Sequence, residues 1–125
     1  MAAERPTIAK PEGDIPFELG IDDLVVGDGD EATAGKKVTV HYVGVAFRSG
    51  EEFDASWNRG DPFQFKLGKG QVIPGWDAGV AGMRVGGRRK LTIPSAMAYG
   101  ARGAGNGVIA PHEPLVFVVD LLAVD

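Results

Sequence analysis

Apolar and polar positions alternate from Lys37 to Phe47. Val38, Val40 and Tyr42 fall on one face, Thr39 and His41 on the other, the period-two pattern of a half-buried strand. Phe63, Phe65 and Leu67 repeat it across Gln64 and Lys66. Lys90-Leu91-Thr92-Ile93 predicts a shorter strand stopped by Pro94, and Leu24-Val25-Val26 predicts a first strand. Leu115 to Val124 is apolar almost throughout, apart from Asp120, as expected of a central strand covered on both faces.

Helical spacing is confined to the stretch from Ile73 to Met83, where Ile73, Trp76, Val80 and Met83 form one stripe. Pro74 suits the first helical position, where its missing N–H costs nothing. Asp77 lies where the helix dipole favours an anion, and Gly82 ends the helix or bends the chain after it. These elements predict an α+β fold: a twisted antiparallel sheet with one short helix across its concave face, and Trp76 pointing into the core.

Composition sharpens this picture. The 125 residues include 19 glycines and 8 prolines, against about nine glycines at the usual frequency of about 7%. The excess is aperiodic and falls between short apolar runs, as in a sheet with many turns. Residues 1–20 carry Pro6, Pro11 and Pro16 with mixed charge and predict an extended or disordered arm. Residues 21–125 form one domain.

Charge and residue inventory exclude several kinds of chemistry. A net charge of -4 and the absence of a large basic face argue against nucleic acid. The cluster Arg88-Arg89-Lys90 reads as a solvated surface patch. There is no cysteine and there are two histidines, so thiol catalysis and Cys- or His-rich metal sites are out. In Gly27-Asp28-Gly29-Asp30, Ala32, Thr33 and Thr39 occupy positions where a calcium loop needs a ligand, a glycine and a bidentate Glu; the segment reads as a turn. GARGAGNGV, from Gly100 to Val108, lacks the Lys-Ser ending of a phosphate loop and no helix follows it, so it reads as a flexible surface loop. No apolar run approaches a membrane span and the start has no apolar leader. A cytoplasmic protein without metal or cofactor is expected, and monomer is the default.

What remains is a gathering of aromatic residues near turns: Tyr42, Phe53 beside Asp54, Phe63, Trp76, Tyr99 and Phe117. Phe65 is expected in the core. Val72-Ile73 sits at the helix start, where backbone N–H groups lack intrahelical partners. A cleft lined by these residues is apolar with a few polar tips, which suits a small ligand or peptide better than hydrolysis.

The chain resembles the FKBP-type peptidyl-prolyl cis/trans isomerases, and is similar to bacterial single-domain members, from about Leu24 to Val124. The resemblance rests on VHYVG (from Val40), FDASW (from Phe53), PFQFKLGKGQVIPGW (from Pro62), GVAGMRVGGRRKLTIP (from Gly79), AYGARG (from Ala98) and IAPHEPLVFVVDLL (from Ile109). It implies a five- to six-stranded antiparallel half-barrel sheet wrapped around one short α-helix. It also implies that Trp76 is the floor of a proline pocket, Tyr42, Phe63, Val72, Ile73 and Phe117 its walls, and Asp54 and Tyr99 its polar rim. The Ile73 N–H would bind the carbonyl of the bound proline or its mimic. By the same resemblance Asp54, Tyr99, Phe53 and Phe117 carry catalysis, and Gln71, Val108 and Ile109 join the ligand contacts. Proline-containing peptides, unfolded or nascent proteins and the macrolides tacrolimus and rapamycin are the implied partners.

Three positions depart from the better-known eukaryotic pattern. Gln71 stands where Glu is common, Met97 replaces an aromatic residue, and the loop from Gly100 to Gly107 is one residue longer, with Ala104 and Gly105 in place of a rim His. Two other roles stay open at this level: a binding module without turnover, and a folding chaperone acting independently of proline.

Overall fold

The computed structural model describes residues 4–105 and 108–125. Six strands form one antiparallel sheet: β1 (Gly20–Val25), β2 (Lys37–Ala46), β3 (Glu52–Ala55), β4 (Phe63–Lys66), β5 (Arg88–Ile93) and β6 (Leu115–Val124). The order is β1-β5-β6-β2-β3, with β4 pairing the other half of the β2 edge that β3 uses. Helix α1 (Ser56–Arg59) joins β3 to β4, and α2 (Pro74–Val80) follows β4. Two 3₁₀ turns, Ser95–Met97 and Gly100–Arg102, follow β5.

The period-two patterns place the core. Val38, Val40 and Tyr42 of β2, Leu91 and Ile93 of β5, and Leu115, Phe117, Val119 and Leu121 of β6 meet Phe65, Leu67, Trp76, Val80 and Met83 in one buried cluster. A fully buried aliphatic or aromatic side chain contributes about 1.5–3 kcal/mol, so this face holds the sheet to α2. The helix can lie close because it presents glycine. A Cβ at Gly75 would stand 2.5 Å from Ile93 Cγ2, and one at Gly79 would stand 2.7 Å from Leu91 Cδ2. Two poor helix formers are tolerated where only hydrogen atoms fit between helix and strand.

Several boundaries and one charge assignment differ from the sequence expectation. β1 begins at Gly20 and Val26 lies outside it, because the pairing runs from Gly20↔Thr92 to Val25↔Arg88 with a bulge between Asp23 and Val25. α2 ends at Val80, not near Met83; the Met83 N–H turns back to the Val80 carbonyl at 3.0 Å. α1 is an additional turn that the periodicity did not disclose.

The cluster Arg88-Arg89-Lys90 is not a solvated patch. Arg88 pairs with Asp120 at 2.7 Å, and the Asp120 side chain is only 5% exposed. Arg89 bridges to Asp23 at 2.7 Å and donates to the Gly79 and Ala81 carbonyls at the end of α2, satisfying orphan acceptors. Alternation along β5 sends these two guanidiniums to opposite faces, each to a waiting partner.

Residues 4–19 form neither helix nor strand and bend at 13–14 and 17–18. Residues 4–10 lie across the convex face of the sheet, with Pro6 buried and Ile8 packed against Val45, Phe47 and Val116. The turn Gly27-Asp28-Gly29-Asp30 docks on residues 84–87 through backbone hydrogen bonds from Gly29 N–H to the Val85 carbonyl and from Val85 N–H to the Asp30 carbonyl. Among the described residues no group of three or more His, Cys, Asp or Glu could hold a metal. No described helix is long and apolar enough to cross a membrane.

Candidate functional site

The segment between β4 and α2 is fixed before the helix begins. Asp77, in the first turn of α2, accepts the N–H groups of Gly68 at 2.8 Å and Gly70 at 3.0 Å. The Gln71 side-chain carbonyl accepts the Lys66 N–H at 2.9 Å. Sequence reasoning assigned Asp77 to the helix dipole alone and gave Gln71 no side-chain role. With the loop so held, Ile73 takes the N-cap position, its carbonyl accepting the Trp76 and Asp77 N–H groups. The Ile73 N–H precedes the helix, where no intrahelical acceptor exists.

Trp76 lies in the first turn of α2 and is 4% exposed. Edge-to-face rings surround it: Tyr42 at 5.0 Å, Phe117 at 5.2 Å and Phe63 at 6.1 Å between centroids, with Phe65 tilted at 5.7 Å. Phe53 stands edge-on to Phe117 at 5.5 Å. Such T-shaped pairs are each worth about 0.5–1.5 kcal/mol beyond burial, which fixes the walls around the floor. The indole N–H of Trp76 is buried without a hydrogen-bond partner, a feature that burial normally penalises. Gly44 makes the wall possible. It pairs across the sheet with Phe117 and Asp54, and a Cβ there would stand 2.6 Å from Phe117 Cε1 and 2.7 Å from Phe53 Cζ. A glycine inside a strand run was the available sequence signal for this close approach, and it was missed.

One polar network crosses the rim. The Tyr42 hydroxyl donates to Asp54 Oδ2 at 2.5 Å, Arg59 Nη1 donates to Asp54 Oδ1 at 2.6 Å, and Arg59 Nη2 donates to the Tyr42 hydroxyl at 2.9 Å. Burial works to raise the Asp54 pKa, but the hydrogen bonds from Tyr42 and Arg59 outweigh it and hold the carboxyl below its ordinary value. Burial, with the Asp54 hydrogen bond, pushes the Tyr42 hydroxyl up, so it stays a donor. Arg59 was not foreseen, because its spacing of five from Asp54 matches neither a strand nor a helix pair. α1 carries it there, anchored by fully buried Ser56, whose Oγ accepts the Tyr42 N–H at 2.7 Å and lies 2.7 Å from His41 Nδ1.

These groups enclose a cleft of about 180 Å³ lined by Tyr42, Phe53, Asp54, Phe63, Gln71, Val72, Ile73, Trp76, Tyr99 and Phe117. Every lining residue belongs to the set singled out from the sequence. Tyr99 is 41% exposed and opens the turn Gly100–Arg102. Val108 and Ile109 lie outside the lining. Val108 is 61% exposed in the loop, and Ile109 is buried in the core, exchanging two backbone hydrogen bonds with Ala104. The loop read as flexible therefore contains a short paired segment, and its positions 106 and 107 lie outside the described residues.

A family model described as FKBP-type peptidyl-prolyl cis-trans isomerase matches residues 29–122. The chain is similar to an FK506-binding protein of Streptomyces anulatus, 63% identical over 124 residues, covering 99% of this chain and 100% of that protein. It is 58% identical over 106 residues to an FK506-binding protein of Neisseria meningitidis serogroup A, covering 85% and 95%. Among solved structures, AtFKBP13 superimposes with a TM-score of 0.79 at 42% identity over 86% of this chain and 94% of that one. FkpA from Escherichia coli gives 0.78 at 39% identity, over 86% and 48%. The chain belongs to the FKBP-type peptidyl-prolyl cis-trans isomerase family.

Proposed function

We propose that the Trp76 cleft catalyses rotation about X–Pro bonds by stabilising the twisted amide without a covalent step, and that tacrolimus and rapamycin bind in the same place. The observation that carries this reading is an aromatic box with an indole floor beside the unpaired N–H end of a helix. An X–Pro bond relaxes over roughly 10–100 s, its barrier of about 18–20 kcal/mol reflecting amide resonance. Twisting removes that resonance, so the carbonyl becomes less polar and the prolyl nitrogen gains a lone pair. An apolar cleft disfavours the planar, polar amide relative to the twisted one. The proline ring lies on Trp76, the Ile73 N–H binds its carbonyl, and Tyr99 contributes from the rim.

Asp54 is ionised and fully engaged by Tyr42 and Arg59, so it acts by orientation and electrostatics rather than as a general acid. Interactions made only in the twisted state raise turnover. Four decades of rate need about 5–6 kcal/mol, within reach of desolvation and one or two hydrogen bonds. The substrates are proline-containing segments of peptides and of unfolded or nascent proteins.

Cis-to-trans relaxation of a short Leu-Pro or Phe-Pro peptide, with and without tacrolimus, tests this. Catalysis that the macrolide abolishes is the expected result. Macrolide binding that quenches tryptophan fluorescence, without catalysis, would assign the cleft to recognition alone.

A further inference from the structure

We infer that the N-terminal strap, through Arg5, is a positioning element for the Asp54–Arg59 rim; this rests on the reading of the cleft as the catalytic site. The rim is built on the strand with the fewest paired positions in the sheet. β3 has four residues and pairs with β2 at three positions, with a register shift between Gly44 and Val45. α1 is a single turn without a side-chain cap. Yet this segment of the chain, residues 52–59, carries Phe53, Asp54 and Arg59.

Arg5 ties both ends of that segment together. Its guanidinium is ion-paired with Glu52 and reaches Asn58 Oδ1 at 3.3 Å, while Asn58 Nδ2 donates to Glu52 Oε2 at 2.9 Å. Glu52 immediately precedes Phe53-Asp54, and Asn58 immediately precedes Arg59. The other attachments of the strap reach firmer structure. Arg88, held by Asp120 of the central strand β6, donates to the Glu4 carbonyl. Pro6 is buried, and Ile8 packs on Val45, Phe47 and Val116. The arm thus ties the sheet centre, on the face opposite the cleft, to both ends of a segment whose own anchor to β2 is Ser56 at its middle. Small displacements of a positioned group are costly to rate, and supporting contacts behind a site govern such displacements.

The test measures kcat/KM on a Leu-Pro peptide for Arg5→Met, Arg5→Lys and Glu52→Gln, each with Asp54 present and in an Asp54→Asn background. Arg5→Met is expected to lose roughly threefold to tenfold, Arg5→Lys to recover part of it, and Glu52→Gln to add little to Arg5→Met. In the Asp54→Asn background the Arg5 effect is expected to vanish, and the Arg59 Nε–H resonance is expected to shift in Arg5→Met. Unchanged kcat/KM in Arg5→Met, or the same fractional loss with and without Asp54, would overturn the inference. A loss in Asp54→Asn that Arg5→Met does not share overturns the strap alone. Full activity in Asp54→Asn overturns the reading of the rim, and the strap's catalytic role with it.

Discussion

Replacing Gly75 with alanine should loosen the fold and the cleft together, although alanine is the better helix former. The new Cβ would stand 2.5 Å from Ile93 Cγ2, 2.7 Å from Cδ1 and 2.9 Å from Cγ1. Carbon atoms rest at about 3.5–4.0 Å, so the first turn of α2 or the Ile93 side chain must move by about 1 Å. Ile93 is 0% exposed and packed within the core cluster. Overpacking of this kind costs about 1–3 kcal/mol. Three contacts under 3.0 Å place this change toward the upper end, about 2–3 kcal/mol, and helix propensity returns about 1 kcal/mol, leaving a net loss of about 1–2 kcal/mol. At about 4 °C per kcal/mol for a chain of this size, the Tm should fall by roughly 4–8 °C, with a matching shift of the urea midpoint. Because Gly75 adjoins Trp76, the same displacement should lower kcat/KM about tenfold. A Gly75→Ala variant as stable and as active as the parent would refute the account of why glycine occupies this helix.

The Asp54 network makes a prediction about pH. The native carboxyl titrates below its ordinary value, so its stabilising contribution is complete above the unfolded pKa of about 3.9. That contribution is lost only as pH falls through the lower native value. Activity should therefore stay level from about pH 5 to 8, and Asp54→Asn should reduce kcat/KM without creating a titration; a profile following a carboxylate would contradict orientation as its role. Arg88→Met strands the buried Asp120 carboxylate and should destabilise by about 3 kcal/mol in urea, most of it recovered when Asp120→Leu is added. A single variant within about 0.5 kcal/mol of the parent would show that the pair is not a stabilising contact.

The concave face was legible because its signals are local. Val38, Val40 and Tyr42 alternate, Ile73, Trp76 and Val80 fall on one helical stripe, and these patterns fix what faces inward. Chemistry that depends on separate segments meeting was not legible. Asp54 and Arg59 join only because α1 turns the chain between them, and Arg88 meets Asp120 only because β5 pairs with β6. Glycines at 44, 75 and 79 read as punctuation, whereas their role is to let rings or strands approach. The arm illustrates the same limit. Three prolines and mixed charge predict a segment without helix or strand of its own, but they do not say which surface it will lie upon.

The clamp that Asp77 places on the Gly68 and Gly70 N–H groups has a thermodynamic consequence for recognition. Fixing the backbone of a free residue costs about 1–2 kcal/mol at 25 °C, and a glycine-rich loop has more freedom to lose than most. Here that entropy is surrendered when the chain folds. If the cleft takes proline as proposed, the visitor would meet a donor and a floor already in place, so the ordering cost of binding would fall on it rather than on the host. Affinity should then differ among peptides mainly with how extended each one already is in solution, and little with the protein's own adaptability.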